Sequence, residues 1–298
     1  MAPFVSIVMP CYNHSSFVTD SILGILNQSF SDFELIITDD CSTDGSKGII
    51  KTFAQKDRRI IPIYHDKRGG VSKSRNDALR VAKGDFIGFC DADDIWERDK
   101  LSKQINYLDS MPEYGAVHSD AIIIDENNKP TKETFSNIYY DGPIPIGNLF
   151  LKLCIRNFIN TQTVLVRKRC IESAGLFNEK FIYMEDWIYW VKIAHKNLFA
   201  YLNEPLARYR IHSGSTFHDR KNYQINWVMG YRLLLETYYN EIPKNVRSLM
   251  EYKIGVNYLH LGNMGEAQQY FAKSIRACPW NLKAVYRLLE SKVRKGNE

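Results

Sequence analysis

The chain is expected to be an α/β protein, with a mostly parallel central sheet flanked by helices, followed by a small all-α C-terminal region. Three observations carry that expectation. In the first third of the sequence, short apolar runs of strand length alternate with stretches of helical spacing, the pattern of βαβ units. Where those runs stop, acids and glycines gather, at the strand ends where open α/β sheets bind ligands. From Tyr223 onward the pattern is helical throughout.

Phe4 to Cys11 reads as a buried first strand, left through a turn at Tyr12-Asn13-His14-Ser15. Val18, Ile22 and Leu26 fall at helical spacing and predict a helix from Ser16 to Asn27. The second strand, Phe33 to Thr38, ends in Asp39-Asp40 and a hydroxyl-rich loop that caps a helix to Ala54. Ile60 to Tyr64 makes a third strand, Val71 to Ala82 a third helix, and Phe86 to Cys90 a fourth strand.

Beyond Trp96 the expected elements are a helix over Asp99–Ser110 and a strand pair or one long strand over Gly115–Asp125. Thr131 to Pro145 is polar, carries Gly142-Pro143, and reads as an exposed, mobile loop near the site. A helix (Gly147–Arg156), a strand (Thr163–Arg167), a helix from Glu185-Asp186 to His195 and short strands at Phe199–Tyr201 and Leu206–Tyr209 complete this half.

The 298 residues suffice for about two domains, placed at 1–220 and 221–298. A net charge of +5, with bases scattered except for a cluster in the final helix, argues against a nucleic-acid partner. The six cysteines show no Cys-x-x-Cys spacing and fit free thiols in a reducing cytoplasm. The N-terminus lacks a signal-peptide pattern, and no apolar run of about eighteen residues predicts a membrane span.

Within the helical region, Leu261 to Pro279 resembles one tetratricopeptide-like repeat, with a plain helical hairpin as the equal alternative. A lone copy needs cover, either from the catalytic domain or from a second chain in a homodimer. The final helix, Leu282 to Arg294, mixes apolar positions with Lys283, Arg287, Lys292 and Arg294. It fits either a solvated helix packed on the repeat or a peripheral contact with an anionic membrane.

Four stretches carry chemistry. Phe86 to Cys90 stops at Asp91-Ala92-Asp93-Asp94, and three crowded carboxylates call for a cation more than for a helix cap. Pro10-Cys11-Tyr12-Asn13 with Asp39-Asp40 offers acceptors to a nucleobase or ribose, although Asp39-Asp40 alone also reads as a capped turn. Gly69-Gly70 opens a helix in which Arg75 lies one turn in, an arrangement suited to a diphosphate. Glu185-Asp186 starts an aromatic-rich helix whose apolar surroundings raise carboxylate pKa values, which makes Asp186 a candidate general base and Glu185 a cap. His212 is a candidate for metal or phosphate, or a surface histidine.

In their order and spacing these motifs, together with Glu185-Asp186-Trp187, resemble the family 2 glycosyltransferases over residues 4–215. The resemblance implies a Rossmann-like GT-A fold and inverting transfer from a nucleotide-diphosphate sugar, most often a UDP-sugar, with Mn²⁺ or Mg²⁺. It puts the nucleoside on Pro10, Tyr12, Asn13 and Asp39 with Asp40 close by, and the diphosphate near Gly70 and Arg75. Asp91 and Ala92 then face the sugar nucleotide, Asp93 and His212 the metal, and Asp186 serves as base, leaving Asp94 behind the metal or as a cap. The implied acceptor is a glycan or lipid-linked hydroxyl, and the expected location is the cytoplasm or the inner face of its membrane. A sugar nucleotidyltransferase and a catalytically inactive scaffold are the alternatives.

Overall fold

The computed structural model describes residues 3–214 and 219–295. The elements are β1 (Val5–Cys11), α1 (Val18–Leu26), β2 (Phe33–Asp39), α2 (Ser46–Lys56), β3 (Ile60–Tyr64), α3 (Val71–Val81), β4 (Phe86–Phe89), β5 (Ile95–Trp96), α4 (Lys100–Asp109), β6 (Tyr114–Ile124) and β7 (Pro130–Thr134). There follow α5 (Phe135–Tyr139), α6 (Phe150–Ile155), β8 (Leu165–Arg167), α7 (Lys168–Ala174), α8 (Glu185–Ala194), β9 (Leu198–Arg210), α9 (Arg220–Tyr238), α10 (Lys244–His260), α11 (Met264–Ala277) and α12 (Leu282–Lys295).

The sheet runs in the order β3-β2-β1-β4-β8-β6-β9-β5, with β7 on β6. β1 pairs in parallel with β2 on one side and β4 on the other, so the chain reverses direction across the sheet at β1. That switch point opens a crevice at the carboxyl ends of β1 and β4, where Tyr12 and Asp91 emerge. Every residue of β1 and β2 is buried, as strands covered by helices on both faces must be. Gly88 of β4 lets Trp96 lie flat on the strand, since a Cβ there would stand 2.7 Å from the indole ring.

Of the two alternatives for the span 115–125, the structure has one long strand, β6, which ends at Ile124. Two expectations are corrected. The segment Thr131–Pro145 is no featureless loop: Pro130–Thr134 pairs antiparallel with β6, and Phe135–Tyr139 is a short helix. Asp120 holds that turn, accepting from the Ser136 N–H at 2.9 Å and the Ser136 hydroxyl at 2.5 Å. The two short strands at 199–201 and 206–209 are a single strand, β9, parallel to β6. Asn203-Glu204-Pro205 reads as a break, yet the register steps from Ser119↔Leu202 to Asp120↔Pro205, so a bulge absorbs the extra residues and accommodates the proline.

The chain divides into two compact units, Met1–Leu149 with Phe158–Ser213, and Phe150–Asn157 with Gly214–Glu298. The second is all helical: α6 is tied to α9 by the Tyr231 hydroxyl, which donates to the Ile155 carbonyl at 2.7 Å. Gly255 of α10 lies against the Phe271 ring of α11, and Ala267 and Phe271 are fully buried. Ser248, Ser274 and Asn281 form a buried hydrogen-bonded knot joining α10 and α11 to the start of α12. The basic side chains of Lys292, Arg294 and Lys295 lie outside the described residues. No helix among the described residues is long and apolar enough to cross a membrane.

Candidate active site

Asn13 takes a left-handed conformation (φ 56°), which lets the loop leave β1 sharply. Its Oδ1 accepts from the Thr43 N–H at 2.8 Å, and its own N–H donates to the Ser42 hydroxyl at 3.0 Å. The loops after β1 and β2 are thereby stitched together. Between them lies Asp39, 1 % exposed, with Oδ1 held by the Ser42 N–H at 3.1 Å and Oδ2 without a hydrogen-bond partner. A buried carboxylate oxygen left open is costly unless a donor completes it, and Oδ2 is thus an available acceptor for a ligand N–H.

Asp40 does different work. It accepts from the Gly69 N–H at 2.7 Å, the Gly70 N–H at 2.8 Å and a His65 ring nitrogen at 2.7 Å. Burial pushes its pKa up, but these donors outweigh burial and hold the carboxyl below its usual range. Asp40 therefore shapes the Gly69-Gly70 turn, where Gly70 has φ +89° and starts α3. Arg68 from the same turn lies over the Tyr12 ring, 4.1 Å from its centroid.

Asp91 through Asp94 divide their tasks. Asp91 accepts from Arg75 at 2.8 Å and from the Gln162 side-chain Nε2 at 2.7 Å, while its N–H donates to the Oε1 of the same Gln162 side chain at 2.6 Å. Ala92 is fully buried beneath the loop. Asp93 stands 3.1 Å from a His212 ring nitrogen. Burial raises the pKa of Asp93, yet His212 and His14 together bring it below the ordinary value. Asp94 is enclosed and accepts the Arg210 N–H at 2.7 Å. Burial, followed by the Asp93 and Asp91 charges, pushes its pKa well up. The crowding legible in the sequence thus falls on Asp94, leaving Asp93 free to stay ionised.

Asp186 begins α8. Its oxygens accept from the Thr161 hydroxyl at 2.9 Å and the Trp187 N–H at 2.7 Å, and burial raises its pKa above the usual carboxylate range despite the Arg75 charge. Glu185 is more than a cap. It pairs with Arg75 at 2.6 Å, and burial lifts its pKa to about 7. Arg75, 2 % exposed, is engaged by Asp91 through one nitrogen and Glu185 through the other. Its expected place facing a diphosphate gives way to a role inside the site, because two carboxylates occupy the guanidinium fork.

One rim thus gathers Pro10, Tyr12, Asn13, Asp39, Asp40, Gly70, Asp91, Ala92 and Asp93, and the network through Arg75 reaches Asp186. Sequence reasoning missed Gln162, Thr161, His65, Arg210 and His14. Gln162 and Thr161 sit in a 3-10 turn after Asn160, whose side chain caps it by accepting the Gln162 N–H at 3.0 Å. No local pattern marks them as partners of acids far away in the chain. An imidazole nitrogen of His14, one of His212 and an Asp93 oxygen all lie within 4.8 Å of one another. Imidazole and carboxylate donors suit a first-row divalent ion, so these residues fit the metal that the site implies.

The family model described as Glycosyl transferase family 2 matches residues 6–170. The chain belongs to that family. This glycosyltransferase is 30 % identical over 220 residues to the putative teichuronic acid biosynthesis glycosyltransferase TuaG of Bacillus subtilis, covering 72 % of this chain and 81 % of TuaG. It is 31 % identical to the Escherichia coli UDP-Glc:alpha-D-GlcNAc-diphosphoundecaprenol beta-1,3-glucosyltransferase WfaP, covering 71 % of this chain and 78 % of WfaP. Among solved structures, S. aureus TarS 1–349 in complex with UDP-GlcNAc shares its fold, with a TM-score of 0.68, 17 % identity, and coverage of 93 % of this chain and 81 % of that one. The GT-A expectation therefore holds.

Proposed function

We propose that this glycosyltransferase moves a sugar, with inversion, from a nucleotide-diphosphate sugar to a hydroxyl of a glycan or lipid-linked acceptor in surface-polysaccharide synthesis. A UDP-sugar is the donor that fits best. The observation that carries the reading is the network Asp186–Thr161, Gln162–Asp91–Arg75–Glu185, which ties the base-bearing helix α8 to the acid loop after β4. Support for the donor comes from the open Oδ2 of Asp39 and from the UDP-sugar named for WfaP and bound in TarS. Support for a lipid-linked acceptor comes from the diphosphoundecaprenol named for WfaP.

In the proposed reaction the Asp186 carboxylate takes the proton of the acceptor hydroxyl as that oxygen attacks the anomeric carbon. The bond from that carbon to the diphosphate oxygen breaks, and the nucleoside diphosphate leaves with the electron pair. One base and no protein nucleophile give inversion. Asp39, Asn13 and Tyr12 hold the nucleoside, the Gly69-Gly70 turn admits the diphosphate, and Asp91, held by Arg75 and Gln162, meets the ribose or donor sugar. Asp93 and His212 would hold a divalent cation, Mn²⁺ or Mg²⁺, which when bound would supply charge stabilisation for a leaving diphosphate. Catalysis is assigned to residues 1–220 and acceptor or membrane contacts to the helical region 221–298. Titration calorimetry with UDP, with and without Mn²⁺, tests the assignment: loss of metal-dependent UDP binding is expected in Asp93→Ala, and unchanged binding there would overturn it.

A further inference from the structure

The transfer proposed above gives His14 no role, yet its backbone is held at two points. Its N–H donates to the Ser46 hydroxyl at 2.9 Å, and its carbonyl accepts the Phe17 and Val18 N–H groups at 2.9 and 2.8 Å as α1 begins. The side chain therefore departs from an anchored point beside the site. Its ring stands edge-on to that of His212, with centroids 6.0 Å apart, and Phe17 backs the His212 ring at 4.8 Å. Nitrogens from both rings lie with the Asp93 oxygen inside a 4.8 Å span, and all three residues keep partial solvent access.

We propose that His14 is a third protein ligand to the divalent cation, completing a set of two imidazoles and one carboxylate that loads a Mn²⁺-class ion on the free enzyme before any nucleotide arrives. The inference rests on the assignment of Asp93 and His212 as the cation site. Two physical arguments support it. A single carboxylate holds a divalent ion weakly and needs phosphate oxygens to complete the shell, whereas three convergent protein donors remove that need. Mg²⁺ prefers oxygen and gives up water reluctantly, so a nitrogen-rich set discriminates against it in favour of later first-row ions.

The test is electron paramagnetic resonance of Mn²⁺ titrated into the full chain without nucleotide, with spin-echo detection of coupled ¹⁴N. Wild type should bind Mn²⁺ with two coupled nitrogens and retain it against excess Mg²⁺. His14→Gln should lose one nitrogen coupling and weaken Mn²⁺ binding by about tenfold or more. A wild-type spectrum with a single nitrogen, or unchanged coupling and affinity in His14→Gln while Asp93→Asn loses the metal, would overturn the role of His14 and leave the cation site standing. Binding that requires UDP would overturn loading on the free enzyme. No Mn²⁺ binding in wild type with or without UDP would overturn the cation site itself. The nitrogen count in wild type needs no variant, so a folding defect in His14→Gln leaves the test intact.

Discussion

Asp186 and Arg75 show how much a single side chain depends on what surrounds it. Asp186, the proposed base, is half-buried in the first turn of α8 with its pKa raised, so a proton on it is held more firmly than on a surface carboxylate. A base acts only when deprotonated; as pH falls through this raised pKa, activity is lost earlier than an ordinary carboxylate near 3.8 would allow. The acid limb of a kcat–pH profile should therefore lie above that value. Asp186→Asn should lower kcat roughly 10²- to 10⁴-fold while leaving UDP affinity nearly unchanged by calorimetry. Arg75 behaves otherwise. Arg75→Met strands Asp91 and Glu185 in a buried site, and removing one member of a buried ion cluster costs about 3–5 kcal/mol. Urea denaturation should show that loss, and a variant as stable as wild type would contradict the network.

Elements are joined here by loops whose geometry is held by side-chain acceptors. The turn from β3 into α3 hangs on Asp40, which receives two backbone N–H groups and His65, itself 2.9 Å from Asp77. In the folded protein the Asp40 pKa lies below the ordinary carboxylate value of 3.8. Between the two values the unfolded chain binds the extra proton, so stability rises with pH there; the contribution is present above the unfolded pKa and lost as pH falls through the folded one. Thermal melts of Asp40→Asn should be less stable than wild type near neutrality, with a shallower loss on acidification below 3.8. Helices α10 and α11 meet through Phe271 on Gly255. Phe271→Ala should cost about 3–5 kcal/mol by urea denaturation, since it empties a buried site whose opposing residue has no side chain to fill it.

Across the molecule, the strand order around β1 delivers one rim, and the reading of the whole chain as a transferase depends on motifs from distant segments arriving there together. The elements through β4 were legible because alternation of strand-length apolar runs with helical spacing is a local signal; Asp39, Asp93 and Asp186 were legible as candidates, because an acid at a strand or helix end stands out from its neighbours. β5, β7 and the continuity of β9 were not: a two-residue strand, a polar edge strand and a bulge over Asn203-Glu204-Pro205 exist because β6 and β9 supply their ladders, not because their own residues favour them.

The sequence alone established the α/β class, the helical C-terminal region and the resemblance to family 2 glycosyltransferases, since each rests on patterns a few residues long. Tertiary structure assigned the partners. That Arg75 is enclosed by Asp91 and Glu185, that Gln162 steadies Asp91, and that His14 meets Asp93 and His212 follow from where the loops after β1, β4 and β9 converge. Hydrogen bonds and charge act over a few ångströms, and no periodicity in a chain records which distant residue will be that close.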